Sequence, residues 1–202
     1  MLFNIILIKS TLFGAAPKEK VIIMKIKTSQ LKSLIKESIH EVMKEQAVEL
    51  KKFTSAEEAY WWALKNDLAL KNDAQSDAAR NVASKHPEYA FKYARDIDRD
   101  SHDVTRLGAW EPMYAFLYAK DIEGPHDVTR KAASKDPAHA FKYAYHIDKG
   151  PHNLTREMAS KDPEYAFHYA EHVDKGPHEV TYFGAEKDED ILDQYVDEIG
   201  MP

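Results

Sequence analysis

The chain contains the block Asp162-Pro163-Glu164-Tyr165-Ala166-Phe167-His168-Tyr169-Ala170. Near-identical blocks begin at His86, Glu111 and Asp136, so the block recurs every 25 to 26 residues. A fixed period of this length is typical of repeat proteins, in which each unit buries its apolar face against its neighbours. The repeat therefore determines the predicted architecture before any other feature is considered.

Each repeat is predicted to be a pair of helices joined by a turn. In the repeat from Asp136 to Lys161, Asp136 suits a helix N-cap and Pro137 suits the first helical position. Gly150-Pro151 is predicted to end the first helix, and a shorter second helix follows from about His152 to Ser160. The first helix has one apolar face at helical spacing, formed by Ala140, Tyr143, Ala144 and Ile147. The prediction is an all-α fold: a short α-solenoid of helix–turn–helix repeats of about 26 residues, preceded by an amphipathic helix.

The last unit departs from the others at one position. Four repeats carry a phenylalanine there, namely Phe91, Phe116, Phe141 and Phe167, whereas the last unit carries Asp193. If each phenylalanine packs on the following repeat, a charge at this position marks the end of the stack. Residues 53–187 are therefore assigned to the repeats, and residues 188–202 to a C-terminal half-repeat cap. The side chains expected to face back onto the stack are Leu192, Tyr195, Val196 and Ile199.

Residues 24–52 are predicted to form an N-terminal amphipathic helix. Its apolar stripe follows helical spacing and consists of Leu31, Leu34, Ile35, Ile39 and Val42. Three roles are open for this stripe: covering the end of the repeat stack, docking on another protein or on a second copy of the chain, or lying on a membrane. The glutamates on the polar face disfavour the membrane.

Residues 1–23 are expected to be a translated leader that is absent from the native protein. Their apolar run is too short to span a bilayer, and no basic segment precedes it as in a secretory signal. Met24 stands directly before the predicted helix, and Lys18-Glu19 could be encoded by a purine-rich ribosome-binding sequence. We therefore expect Met24 to be the native start.

The composition limits the class of protein. The chain has 202 residues and no cysteine, which excludes disulfides and thiolate metal sites. Residues 1–23 carry a net charge of +2 and residues 24–52 carry +3, so the rest of a chain of net charge −6 carries −11. Such an acidic body argues against nucleic-acid binding. No glycine-rich phosphate loop or nucleophile elbow is present, so we predict a protein that is not an enzyme and needs no cofactor.

Histidines recur in register at the turn before each second helix. Stacked repeats would hold them about 10 Å apart, too far to share one zinc ion. We predict a capping or turn role for these residues, which are His102, His126, His152 and His178. His168 and His172 have the i, i+4 spacing of a metal-binding pair, but no third ligand is evident, and no metal site is predicted.

Two ladders of side chains are candidates for partner binding. The first consists of Arg106, Arg130 and Arg156, which either form salt bridges between repeats with the acidic residues at matched positions or hold an acidic partner. The second ladder is predicted to lie near the rim, where tyrosine is a good protein-binding group, and consists of Tyr89, Tyr114, His139 and Tyr165.

Two segments resemble proteins of tailed bacteriophages. Residues 24–37 resemble an N-terminal segment that many otherwise unrelated small phage proteins share, and the Asp-Pro-Glu-Tyr-Ala-Phe blocks resemble short helical repeats in phage-encoded proteins of unassigned function. The resemblance implies an origin and no catalytic residues.

The expected function is therefore binding of another protein through the surface of the solenoid. The resemblance implies a phage-encoded accessory or host-directed factor in the cytoplasm of the infected cell. The first alternative is a structural virion component anchored by its N-terminal helix, and the second is an enzyme with a histidine/aspartate site.

Overall fold

The structure is a computed structural model that describes residues 4–8, 22–26, 28–45, 50–66 and 74–202. It divides into two units, Met1–Leu50 and Lys51–Pro202. No helix in the described ranges is long and apolar enough to cross a membrane.

The N-terminal unit contains a β-hairpin that the sequence analysis did not predict. Strand β1 (Asn4–Ile8) pairs antiparallel with β2 (Ile22–Ile26), with Asn4 opposite Ile26 and Ile8 opposite Ile22. Both strands are rich in isoleucine, whose branched side chain favours strands. The segment taken as a leader therefore includes residues in regular structure, and the rest of it lies outside the described residues.

Helix α1 (Thr28–Glu45) follows and confirms a helix within the predicted segment 24–52, although it begins later, because residues 24–26 lie in β2, and it ends earlier. Of the predicted apolar stripe, Leu34 and Ile35 are half exposed. The side chains of Leu31, Ile39 and Val42 lie outside the described residues, so the three roles of this stripe stay predictions.

The second unit is a series of short helices that alternate as predicted, which confirms the α-solenoid. The divergent first pair is α2 (Ala56–Lys65) and α3 (Ala74–Ala83). The first helices of the later units are α4 (Pro87–Tyr93), α6 (Pro112–Tyr118), α8 (Pro137–Tyr143), α10 (Pro163–Tyr169) and α12 (Glu189–Glu198). Their second helices are α5 (Asp103–Gly108), α7 (Asp127–Ala133), α9 (Asn153–Ala159) and α11 (Glu179–Ala185).

Local sequence explains where the first helices begin. Proline takes the first helical position of α4, α6, α8 and α10, where its missing N–H would be unpaired in any case. The Asp136 side chain accepts a hydrogen bond from the His139 backbone N–H at 3.0 Å. Asp162 and Asp188 cap α10 and α12 in the same way, so the predicted N-caps are confirmed.

The first helices end differently from the prediction. Helices α4, α6, α8 and α10 each continue into a π-helical turn, at Ala94–Asp98, Ala119–Glu123, Ala144–Asp148 and Ala170–Asp174. The left-handed residue after the turn is not Gly150 but Lys149, with φ 55°, and Arg99 and Lys175 adopt the same conformation. Gly124 stands at the equivalent position with φ 82° and ψ −157°, a positive-φ conformation outside the left-handed helical region. In the repeat of Lys149, the chain therefore reverses one residue before the glycine that was predicted to end the helix.

Consecutive first helices pack on one another in chain order, from α4 to α12. Alanines with no exposed surface line their contacts and allow the backbones to approach closely. Each phenylalanine reaches the next repeat, and the ring centroids of Phe91 and Tyr114 lie 6.4 Å apart. Phe116 and Phe141 contact His139 and Tyr165 in the same way, at 6.3 Å.

Asp193 is exposed, and Tyr195 is buried against the preceding repeat in a cluster that includes Phe167. The predicted packing of each repeat on the next is therefore confirmed, whereas the assignment of residues 188–202 to a cap stays a prediction.

Candidate functional site

The four histidines in register cap the second helices. The imidazole Nδ1 atom of His126 accepts a hydrogen bond from the Val128 backbone N–H at 3.2 Å. His102, His152 and His178 make the same contact at 3.1 to 3.2 Å. These hydrogen bonds confirm the predicted capping role of the four histidines.

A buried tyrosine–threonine pair joins consecutive repeats, and the sequence analysis missed it. The Tyr143 hydroxyl accepts from the His126 backbone N–H at 2.9 Å and lies 3.0 Å from the Thr129 hydroxyl. The same arrangement recurs at Tyr118–Thr105, Tyr169–Thr155 and Tyr195–Thr181. The signal was present in the sequence, because both residue types keep their place in every one of these repeats. Each pair places two hydroxyl groups in the interior of the array and satisfies them with hydrogen bonds.

The arginine ladder forms the predicted salt bridges between repeats. Arg130 Nη2 lies 2.9 Å from Asp148 Oδ1, and Nε donates to Oδ2 at 3.0 Å, so the contact is bidentate. The two side chains are only 11% and 10% exposed, and the hydrogen bond to Asp148 raises the pKa of Arg130. The equivalent pairs are Arg80–Asp98, Arg106–Glu123 and Arg156–Asp174. The salt-bridge interpretation is confirmed, and these guanidinium groups are engaged within the fold.

Buried phenols make the fold sensitive to alkaline pH. Burial is the main cause that raises the pKa of Tyr60 to about 12, with a further contribution from its hydrogen bond to Asp96. Burial also raises the pKa of Tyr118, Tyr143 and Tyr169. An unfolded tyrosine ionises near pH 10, so above that pH the unfolded state loses protons that the folded state retains.

We therefore expect stability to be independent of these groups below about pH 10 and to fall as the pH rises above it, by up to about 1.4 kcal/mol per pH unit for each tyrosine. Thermal unfolding measured between pH 8.5 and 11.5 tests this. Tyr60→Phe should make the decline shallower. A melting temperature that stays constant to pH 11.5 would contradict the prediction.

The second predicted ladder lies at the seams between repeats. Tyr89, Tyr114, His139 and Tyr165 are partly buried, each against an aromatic ring of the preceding unit. The prediction that they lie near the rim agrees with this partial burial. Their contacts show a role in stacking, and their part in partner binding stays a prediction.

A group of exposed apolar residues was not singled out from the sequence. Leu107, Trp110 and Met113 are 62%, 50% and 46% exposed and fall within seven residues at the α5–α6 junction. We call these three residues the Leu107 patch. The next two repeats carry Lys131 and Glu157 at the position of Leu107, and the last unit carries Phe183, which is 60% exposed. An apolar residue where the next two repeats have a charged one was the signal in the sequence for an exposed apolar group.

A cluster of possible metal ligands was also missed. His168, Glu171 and His172 place one ligand atom each within 4.8 Å of one another. The sequence analysis found no third donor beside the histidine pair, and Glu171 supplies one. The order His168-Tyr169-Ala170-Glu171-His172 is an H-x-x-E-H pattern, which is known from one class of zinc peptidases and was the overlooked signal.

Comparisons of the chain with protein-family models, with curated proteins and with solved structures find no match.

Proposed function

We propose that the helical array is a non-enzymatic protein-binding module that contacts its partner through the Leu107 patch. The observation that carries this proposal is the exposure of Leu107, Trp110 and Met113 close together in the chain. Exposed apolar groups that cluster in this way mark interaction sites, whereas scattered ones need no explanation. Tryptophan and methionine are also enriched in the centres of protein interfaces.

The fold does not require these apolar residues. Lys131 and Glu157 take the place of Leu107 in the next two repeats, and Ala138 and Glu164 take the place of Met113. Lys135 holds its ammonium group 5.8 Å from the centre of the Trp110 ring, which limits the motion of the indole. A ring that is already ordered loses less entropy when a partner covers it.

The expected partner surface has an apolar pocket with a basic border. Residues 53–202 carry most of the acidic charge of the chain, because the net charge of −6 includes +5 from residues 1–52. Complementary charge around an apolar contact raises the association rate and disfavours wrong partners. The histidine and arginine ladders make structural contacts, which supports binding over catalysis.

The phage resemblance favours an accessory or host-directed factor in the infected cell. A structural virion component anchored by α1 is the alternative. Mass spectrometry of purified particles separates the two, since only a virion component is present in them at a fixed copy number.

Affinity capture with matched variants tests the binding proposal. The bait is the full chain, and Leu107→Lys is compared with Lys131→Ala, which alters the same position one repeat later. Leu107→Lys should fold normally, because lysine already occupies that position in the next repeat, and circular dichroism checks this.

We expect the partner retained by the wild type and by Lys131→Ala to bind Leu107→Lys and Trp110→Ala at least about tenfold more weakly. Equal capture by all four proteins would contradict the assignment of the surface.

A further inference from the structure

We propose that His168, Glu171 and His172 form a binding site for a divalent transition-metal ion of the zinc type. All three residues lie at the end of α10 and in the π-helical turn that follows it. This inference is independent of the proposed protein binding, because the Leu107 patch belongs to a different repeat.

The geometry brings three donors to one point. Glu171 Oε2 lies 3.2 Å from His172 Nε2 and 3.9 Å from His168 Nδ1. A zinc ion with bonds of about 2.0 to 2.1 Å separates its ligand atoms by roughly 3.3 Å, so small side-chain rotations complete the contact. The two imidazole rings lie nearly parallel, with an interplanar angle of 9° and centroids 5.9 Å apart, so one ring must turn about its side-chain torsion for both ring planes to contain a shared ion.

One ligand atom is left without a hydrogen bond in the described part of the chain. His168 Nδ1 is buried and has no hydrogen-bond partner there. A buried polar atom without a partner costs about 1 to 3 kcal/mol. A metal ion between Glu171 and the two rings would supply that partner.

Neighbouring aromatic rings hold the imidazoles in place. Phe141 of the preceding repeat lies 5.9 Å from the ring of His168 and 6.2 Å from that of His172. Tyr145, which lies in the same repeat as Phe141, has its ring centroid 6.0 Å from that of His172. Ligands whose orientation is restrained before binding lose less entropy when the ion arrives.

Internal comparison shows that the repeat fold does not require these three residues. The preceding repeats carry Lys92, Arg95 and Asp96, then Leu117, Lys120 and Asp121, then Lys142, Tyr145 and His146 at the same positions. All of these repeats form the same π-helical turn. A complete set of metal donors at these positions therefore occurs in one repeat and has no role in building the turn.

The donor types select the class of ion. Two imidazoles and one carboxylate suit zinc, copper or nickel, whereas magnesium and calcium prefer oxygen ligands alone. Three protein ligands leave a coordination position free. Glu171 and His172 also line a groove of about 670 Å³ together with Tyr145, Lys149 and Lys175. Glu164 Oε1 lies 3.8 Å from His168 Nε2, the other ring nitrogen, so the described residues bring three donors together at one point, and the proposal is metal binding and not peptide hydrolysis.

Calorimetric titration with zinc chloride tests the site in the full chain, free of any histidine tag and treated with a chelator beforehand. We expect one zinc ion to bind per chain and an excess of magnesium to leave the titration unchanged. His172→Ala and Glu171→Gln should each weaken zinc binding by at least about tenfold, because even residues that only support a ligand contribute that much. His172 is exposed and Glu171→Gln preserves size, so both variants should fold.

The matched control is His146→Ala, which removes an exposed histidine from the same position of the preceding repeat. It should bind zinc as the wild type does. Cobalt supplies a second readout, since a site with nitrogen ligands gives visible absorption bands that His172→Ala should lose. The proposal is overturned if no zinc binds, or if His146→Ala weakens binding as much as His172→Ala, because zinc would then be held by scattered surface histidines.

Discussion

Phe116→Asp is expected to disrupt the array at its centre and to lower the free energy of unfolding by about 4 kcal/mol or more. Phe116 is 9% exposed and packs in a cluster that includes Ala133, Tyr143 and Ile147 of the following helices. The substitution removes this apolar contact and places a charge between two repeats. Because repeat arrays are stabilised by contacts between neighbours, the two halves should also unfold separately. Urea denaturation followed by circular dichroism measures both effects.

Asp193 provides the matched control, since it occupies the same position in the last unit and is exposed. Asp193→Ala should leave stability nearly unchanged, and Asp193→Phe should promote self-association by exposing an aromatic ring at the end of the stack. If Phe116→Asp unfolded in one transition at the wild-type midpoint, the stacking interpretation would be wrong.

Arg130→Ala is expected to destabilise the fold by about 3 to 5 kcal/mol, because it leaves the Asp148 carboxylate buried without its charged partner. Asp148 is 10% exposed and accepts hydrogen bonds from both Nε and Nη2 of the guanidinium. Chemical denaturation of the purified variant measures the loss. The double variant Arg130→Met/Asp148→Leu should recover most of it, since an apolar pair of similar volume avoids the desolvation of two charges.

Arg130 has a second, exposed partner, whose substitution tests whether the loss of stability comes from burial of the ion pair or from charge pairing alone. Asp127 also contacts Arg130, but its side chain is 94% exposed, so Asp127→Ala should have little effect. A different outcome for Arg130→Ala would favour the alternative that the arginine ladder holds an acidic partner. If stability were unchanged and partner binding lost, the arginines would be part of the binding surface.

Much of the repeat could be predicted because its signals are local. Proline at the first helical position and aspartate before it mark where α8 and α10 begin, and the spacing of alanines and tyrosines marks the buried face. The matched positions of Arg130 and Asp148 predicted the salt bridge, because a repeat brings equivalent residues into equivalent contacts. The exposure of Asp193 followed from the same reasoning.

Other features were missed because they depend on contacts distant in sequence or on small energy differences. The tyrosine–threonine pairs join residues that lie 13 to 14 positions apart on two different helices. The spacing of apolar residues within one helix does not predict such contacts. The π-helical turns differ from an α-helical turn by one residue, a difference that tertiary contacts such as the Arg130–Asp148 pair can decide. The β-strand pair was missed because residues 1–23 were set aside as a leader and residues 24–26 were assigned to the amphipathic helix.

The amino-acid sequence by itself determined the period, the helix starts and the direction in which each phenylalanine packs. These features depend on the chemistry of a few adjacent residues and on its repetition. Only the tertiary structure decided between the two interpretations of the arginines in favour of salt bridges between repeats, and only it showed that Leu107, Trp110 and Met113 are exposed and that Glu171 approaches two imidazoles. The reason is physical: exposure and ligand geometry depend on which side chains neighbouring helices bring together, and no single segment contains that information.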